Sequence, residues 1–155
     1  MKISTCLILL LSTLAACEEK VKEELPARGA LPLQGTWQLI SGTTIEKGDT
    51  VTTWYNKQLS FIKIINKSHF AFLNHDVRNG KDSTAAFSAG GGRYTLQDSS
   101  YTEHLEYCSD RQWENNDFTF TITIKNDTLV QSGIEKIDSA GINRLNIEKY
   151  VRVNK

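Results

Sequence analysis

The chain has little proline, little cysteine and no surplus of charge. Its two prolines, Pro26 and Pro32, both precede residue 35, so none of the 121 residues from Gly35 to Lys155 breaks a strand by ring closure. Three cysteines, Cys6, Cys17 and Cys108, are too few for a disulfide framework. The 18 basic and 18 acidic residues cancel, which excludes the electrostatic footprint of a nucleic-acid-binding protein. No apolar run approaches the roughly 20 residues that a spanning helix needs.

At the N-terminus, "MKISTCLILLLSTLAA" places one basic residue, Lys2, before an apolar run and small residues before Cys17, the pattern of a bacterial secretion signal. Its end, "LAAC" (Leu14 to Cys17), resembles the lipobox of bacterial lipoproteins. In that family the cysteine is diacylated, becomes the new N-terminus on cleavage and is acylated again. The resemblance implies that residues 1–16 are removed and that Cys17 carries the lipid. The membrane is then a partner of the protein, and the expected location is the bacterial cell envelope, at the outer membrane. Each buried methylene of such an anchor contributes about 0.8 kcal/mol. Cys108 is left as the single free thiol, so no intramolecular disulfide forms. Removal of Lys2 leaves 17 basic residues against 18 acidic ones, a net charge of −1.

Residues 17–34 comprise the lipidated cysteine and a charged, proline-containing stretch, "EEKVKEELPARGALPLQ", without apolar periodicity. It reads as a flexible tether with a mean span of roughly 20 to 25 Å. Its acidic residues also resemble the surface-export signals of some Gram-negative lipoproteins, which leaves the periplasmic and surface faces both open.

All tryptophan, tyrosine and phenylalanine lies in residues 35–155, which therefore hold the core of a single domain. The pattern there has period two. "FTFTITIK" alternates Phe118, Phe120, Ile122 and Ile124 against threonines, as a half-buried strand does. "TWQLIS", "LSFIKII", "HFAFLN", "RYTLQD", "YTEHLEY", "DTLVQSG" and "LNIEKYVRV" are further strands, separated by turn signals such as Asn79-Gly80, Asp98-Ser99-Ser100 and Asn126-Asp127. Eight to ten short strands joined this tightly predict an all-β, antiparallel up-and-down barrel.

The opening "GTWQLISG" (Gly35 to Gly42) resembles the glycine-x-tryptophan start of lipocalins. With "KSHFAFL", "GGGRYTL", "YTEHLEY" and "NIEKYVRV" in order, the domain is similar to bacterial lipocalin-like, calycin-type envelope domains. The resemblance implies a lipocalin-like barrel and an arginine, Arg152, stacked on Trp37. No counterpart of the helix that flanks lipocalin barrels occurs in the sequence.

"SYTEHLEYC" crowds reactive residue types, yet as a strand it places Tyr101, Glu103, Leu105 and Tyr107 on one face and Thr102, His104, Glu106 and Cys108 on the other. His104 and Cys108 then stand about 13 Å apart, too far for a shared metal or a thiolate pair. Gly90-Gly91-Gly92 leads into a strand rather than a helix and so reads as a bulge or bend, not a phosphate loop. With no nucleophile and base pair and no metal-ligand spacing, neither an enzyme nor a cofactor is expected.

Glu103 is the exception, a carboxylate on the apolar face. Burial requires a basic partner, for which Lys63, Lys149 and Arg93 are candidates. Glu103 either serves only that ion pair in a filled barrel, or lines a cavity whose walls are Trp37, Phe70, Phe72, Tyr94, Tyr101, Tyr107 and Phe120. The second alternative makes the protein a monomeric, lipid-anchored binder of a small, partly apolar or amphipathic molecule. The first makes it a surface interaction or inhibitor module.

Overall fold

The computed structural model describes residues 31–153 apart from 56, 82 and 84. The expected signal sequence 1–16, the expected lipidation site Cys17 and the expected tether as far as residue 30 lie outside the described residues. Among the described residues nine strands follow one another: β1 (Gly35–Glu46), β2 (Asp49–Trp54), β3 (Leu59–Ile65), β4 (His69–Asp76), β5 (Phe87–Gln97), β6 (Ser100–Cys108), β7 (Asn116–Lys125), β8 (Thr128–Ile137) and β9 (Ile142–Arg152). Every pairing is antiparallel, and β9 returns to β1 to close the sheet into an up-and-down barrel of 8 strand positions. Nine strands fill eight positions because β2 and β3 share one. β2 pairs with the far half of β1 (Ser41↔Trp54) and β3 with the near half (Trp37↔Lys63), in a shifted register.

The alternation expected of "FTFTITIK" is present: Phe118, Phe120 and Ile122 are buried and the threonines between them are exposed. β2 has no counterpart among the strands expected from sequence. Its residues are all exposed, so no apolar period marks it, and it is held by its ladder to β1 alone. Turns close where left-handed residues allow: Asn126 (φ 48°) and Asp127 (φ 55°) form the two-residue link from β7 to β8.

One end of the barrel is solid. Trp37, Leu39, Tyr101, Ile122, Leu129 and Tyr150 are fully buried there. Leu33, which the sequence placed in the tether, is buried with them, and its carbonyl accepts the Trp37 indole N–H at 2.8 Å. Packing thus begins ahead of Gly35, because a closed barrel end needs an apolar plug. Arg152 lies over the Trp37 ring at 4.1 Å and ties the same segment down through the carbonyls of Pro32 (2.6 Å) and Gln34 (2.8 Å).

The glycine triplet lies within β5, and a bulge opposite it alters the face of β6. Gly91 pairs with Tyr107 but Gly92 with Leu105, leaving Glu106 as the extra residue. The strands approach so closely that a Cβ on Gly92 would run into the His104 carbonyl. Beyond the bulge the inward and outward faces exchange.

Candidate functional site

The exchange of faces decides what lines the open end. Tyr101, Glu103 and Leu105 point inward as the alternation requires. Tyr107 does not: it is 68 % exposed on the outside of the barrel, and Cys108 takes the inward position instead. The expectation that Tyr107 shares the face of Glu103, with Cys108 opposite, is corrected by the extra residue at Glu106. His104 and Glu106 do face outward, paired with Asp117 at 2.8 Å and Arg93 at 2.6 Å.

Above the solid end lies a cavity of about 320 Å³, open at the β6–β7 end of the barrel. Its walls are Phe61, Phe72, Leu105, Phe118 and Phe120; Cys108 and Trp113 stand at the rim. Phe61 and Phe72 stack with ring centroids 5.6 Å apart. Gly90 permits this, since a Cβ there would lie 2.5 Å from the Phe72 ring. Trp113 sits on a short 3-10 turn, Arg111–Trp113, capped by Asp110 and fixed by the Glu114 carboxylate, which accepts the Cys108 N–H at 2.9 Å. Its ring packs on Phe118 at 5.7 Å and carries Arg144 at 5.0 Å.

The floor and one wall are ionic. Lys63 Nζ donates to Glu103 Oε1 at 2.7 Å and to Gln131 Oε1 at 3.1 Å, with Glu148 Oε2 at 3.9 Å. Of the candidate partners of Glu103, Lys63 is the one in place; Lys149 is exposed and Arg93 is outside. Higher up, Arg144 Nε donates to Glu135 Oε2 at 2.7 Å, and Asn146 Nδ2 to Oε1 at 2.8 Å. Tyr150 donates to Glu148 Oε2 at 2.6 Å.

Burial raises the Glu103 carboxyl above the ordinary glutamate range; Lys63 offsets part of this and Glu148 adds to it. Glu135 is raised in the same way, by burial and then Glu148 against the opposing Arg144. Burial alone would depress Lys63, but Glu103, Glu148 and Glu135 outweigh it and hold the ammonium above its usual value. The Tyr101 phenol, raised by burial and by the neighbouring Glu103 carboxylate, stays protonated. Burial also raises the Cys108 thiol.

Of the residues the sequence singled out as walls, Phe72, Glu103 and Phe120 line the cavity. Trp37, Phe70 and Tyr101 are buried in the packed core instead. Tyr94 packs against Tyr101 and donates to the Asn66 carbonyl at 2.7 Å. They fill the closed end because the inward face of each strand runs the whole barrel length and the cavity occupies only part of it. Phe61, Trp113, Gln131, Glu135, Arg144 and Glu148 line the cavity and were not foreseen. The inward run Leu129, Gln131, Gly133, Glu135, Ile137 in β8 was a usable signal, since it puts two polar side chains on the core face.

Residues 32–155 match the family model described as Domain of unknown function (DUF4488). The chain belongs to that family. No curated protein matches it. The family match spans every strand of the barrel and all the cavity residues named above.

Proposed function

We propose that this DUF4488 protein is a lipid-anchored envelope lipoprotein whose lipocalin-like barrel binds a small, partly apolar molecule. The observation that carries the reading is the cavity of about 320 Å³, which has aromatic walls, fixed polar groups and an open end. This is within the range of small-molecule pockets, which run from about 300 to 1,000 Å³. Lys63 with Glu103, and Arg144 with Glu135, hold one another in fixed positions on the cavity lining. Cys108, its thiol raised by burial, is a poor nucleophile, which favours binding over catalysis.

Native mass spectrometry of the protein purified from its own envelope tests the binding reading. A discrete small molecule released on denaturation supports it; a protein that is ligand-free in every preparation opposes it. The anchor is tested separately. Mature protein should carry acyl-chain mass on Cys17, and Cys17→Ser should abolish both that mass and cleavage. A lipid-free mature protein would remove the envelope anchor while leaving the cavity untouched.

A second reading, a surface interaction module, draws on the outer face of β4 to β6, where Phe87 (72 % exposed) and Tyr107 stand out with Leu73. Specific capture of a partner that is lost on Phe87→Ser would favour it.

A further inference from the structure

The charged groups that line the cavity do not balance. Two cations, Lys63 and Arg144, face three carboxylates set into the barrel wall, Glu103, Glu135 and Glu148, with Asp110 adding another at the rim. Each cation is committed. Lys63 gives its short contact to Glu103, and Arg144 gives its own to Glu135 while lying on the Trp113 ring.

Glu148 is the carboxylate left over. Its nearest cation, Lys63 at 3.9 Å, is beyond hydrogen-bond length, and its one short contact is the neutral phenol of Tyr150. It also pushes up both Glu103 and Glu135. Negative charge that Lys63, at 3.9 Å and shared with Glu103, compensates only in part is costly in a partly buried, aromatic-walled space, and an arriving cation would offset it.

We infer that the cavity takes an amphipathic molecule bearing a positive charge, an alkyl or arylalkyl amine, with its ammonium group at Glu148 and its apolar body along Phe61, Phe72 and Phe118. The inference rests on the proposal that the cavity binds a small molecule, and it names the class. An anion would face three carboxylates; a neutral molecule would leave the surplus charge in place. An ammonium satisfies Glu148, and the aromatic faces favour a cation within about 6 Å of their centroids.

Calorimetric titration of the purified protein with phenylbutylamine, phenylbutanol and phenylpropionate, matched in apolar body and different in charge, tests the inference. The amine should bind at least about tenfold more tightly than the alcohol, equivalent to about 1.4 kcal/mol, and the acid more weakly than either. Glu148→Gln should bring the amine down to the level of the alcohol and leave the alcohol within about twofold of wild type. If Glu148→Gln does not fold, the wild-type comparison still decides, with Glu135→Gln as the second variant expected to reduce the amine preference. Alcohol or acid binding as tightly as the amine overturns the inference and leaves the binding proposal standing. Failure of all three probes to bind overturns the binding proposal and the inference with it.

Discussion

Lys63 and Glu103, one on β3 and one on β6, meet across the barrel interior at 2.7 Å, with side chains 3 % and 10 % exposed. Neither strand is the other's neighbour in the sheet, so the pair braces the barrel across its width. Removing one member leaves the other charged and buried.

Glu103→Ala should therefore lower stability by about 3 to 5 kcal/mol, the usual cost of stranding one partner of a buried pair. Glu106→Ala, three residues along but outside the barrel, should leave the denaturant midpoint close to wild type. Urea unfolding of both variants measures the contrast. Equal midpoints would mean that Glu103 bears no buried charge.

The face of Glu103 was legible in the sequence, because "YTEHL" alternates cleanly; Lys63 was one of three candidate partners, since "LSFIKII" is apolar on both faces and does not mark its lysine as inward. Tyr107 was placed wrongly since nothing in "YTEHLEYC" marks the bulge; its cause is on the opposite strand, where Gly91 and Gly92 let the backbones close in. β2 was invisible because its residues are exposed on both faces. The cavity was only partly legible. Phe72, Phe120 and Glu103 belong to strands with strong alternation, but Trp113 comes from a connection and Glu135 and Glu148 interrupt apolar patterns. Packing at the closed end, which claims Trp37, Phe70 and Tyr101, is a property of the whole barrel and of no single strand.

Stability should depend on pH in the direction set by Glu135. Its folded-state carboxyl is raised above the ordinary value of 4.5, so at a pH between the two values the folded protein holds a proton that the unfolded chain releases. The contribution is fully present below the ordinary value and is lost as pH rises through the folded one. Wild type should therefore gain stability relative to Glu135→Gln as pH is lowered from neutrality toward that ordinary value. Thermal melts of the two proteins across this range measure the difference; a gap that is constant or shrinks on acidification contradicts it.

Gly92→Ala should be among the most damaging single changes. The new methyl would meet the His104 carbonyl and lie 2.8 Å from the Glu106 amide, both backbone atoms held by the sheet. A loss at or beyond the upper end of the about 1 to 3 kcal/mol seen for overpacking is expected. Gly141→Ala, which meets nothing within 4 Å but adopts φ +66°, should cost only about 1 to 2 kcal/mol of left-handed strain. Similar unfolding midpoints for the two variants would show that β5 and β6 are not in such close approach.

The central claim, that the barrel's open end receives a small apolar body, is tested most directly through the Cys108 thiol at the cavity rim. The measurement is fluorescence titration with neutral N-phenyl-naphthylamine before and after Cys108 is alkylated by N-ethylmaleimide. Cys108→Trp serves as the same obstruction should the thiol resist the reagent. The account predicts saturable one-to-one enhancement in the unmodified protein and its loss once the cavity is blocked. No saturable binding, or binding that survives the block unchanged, would contradict it.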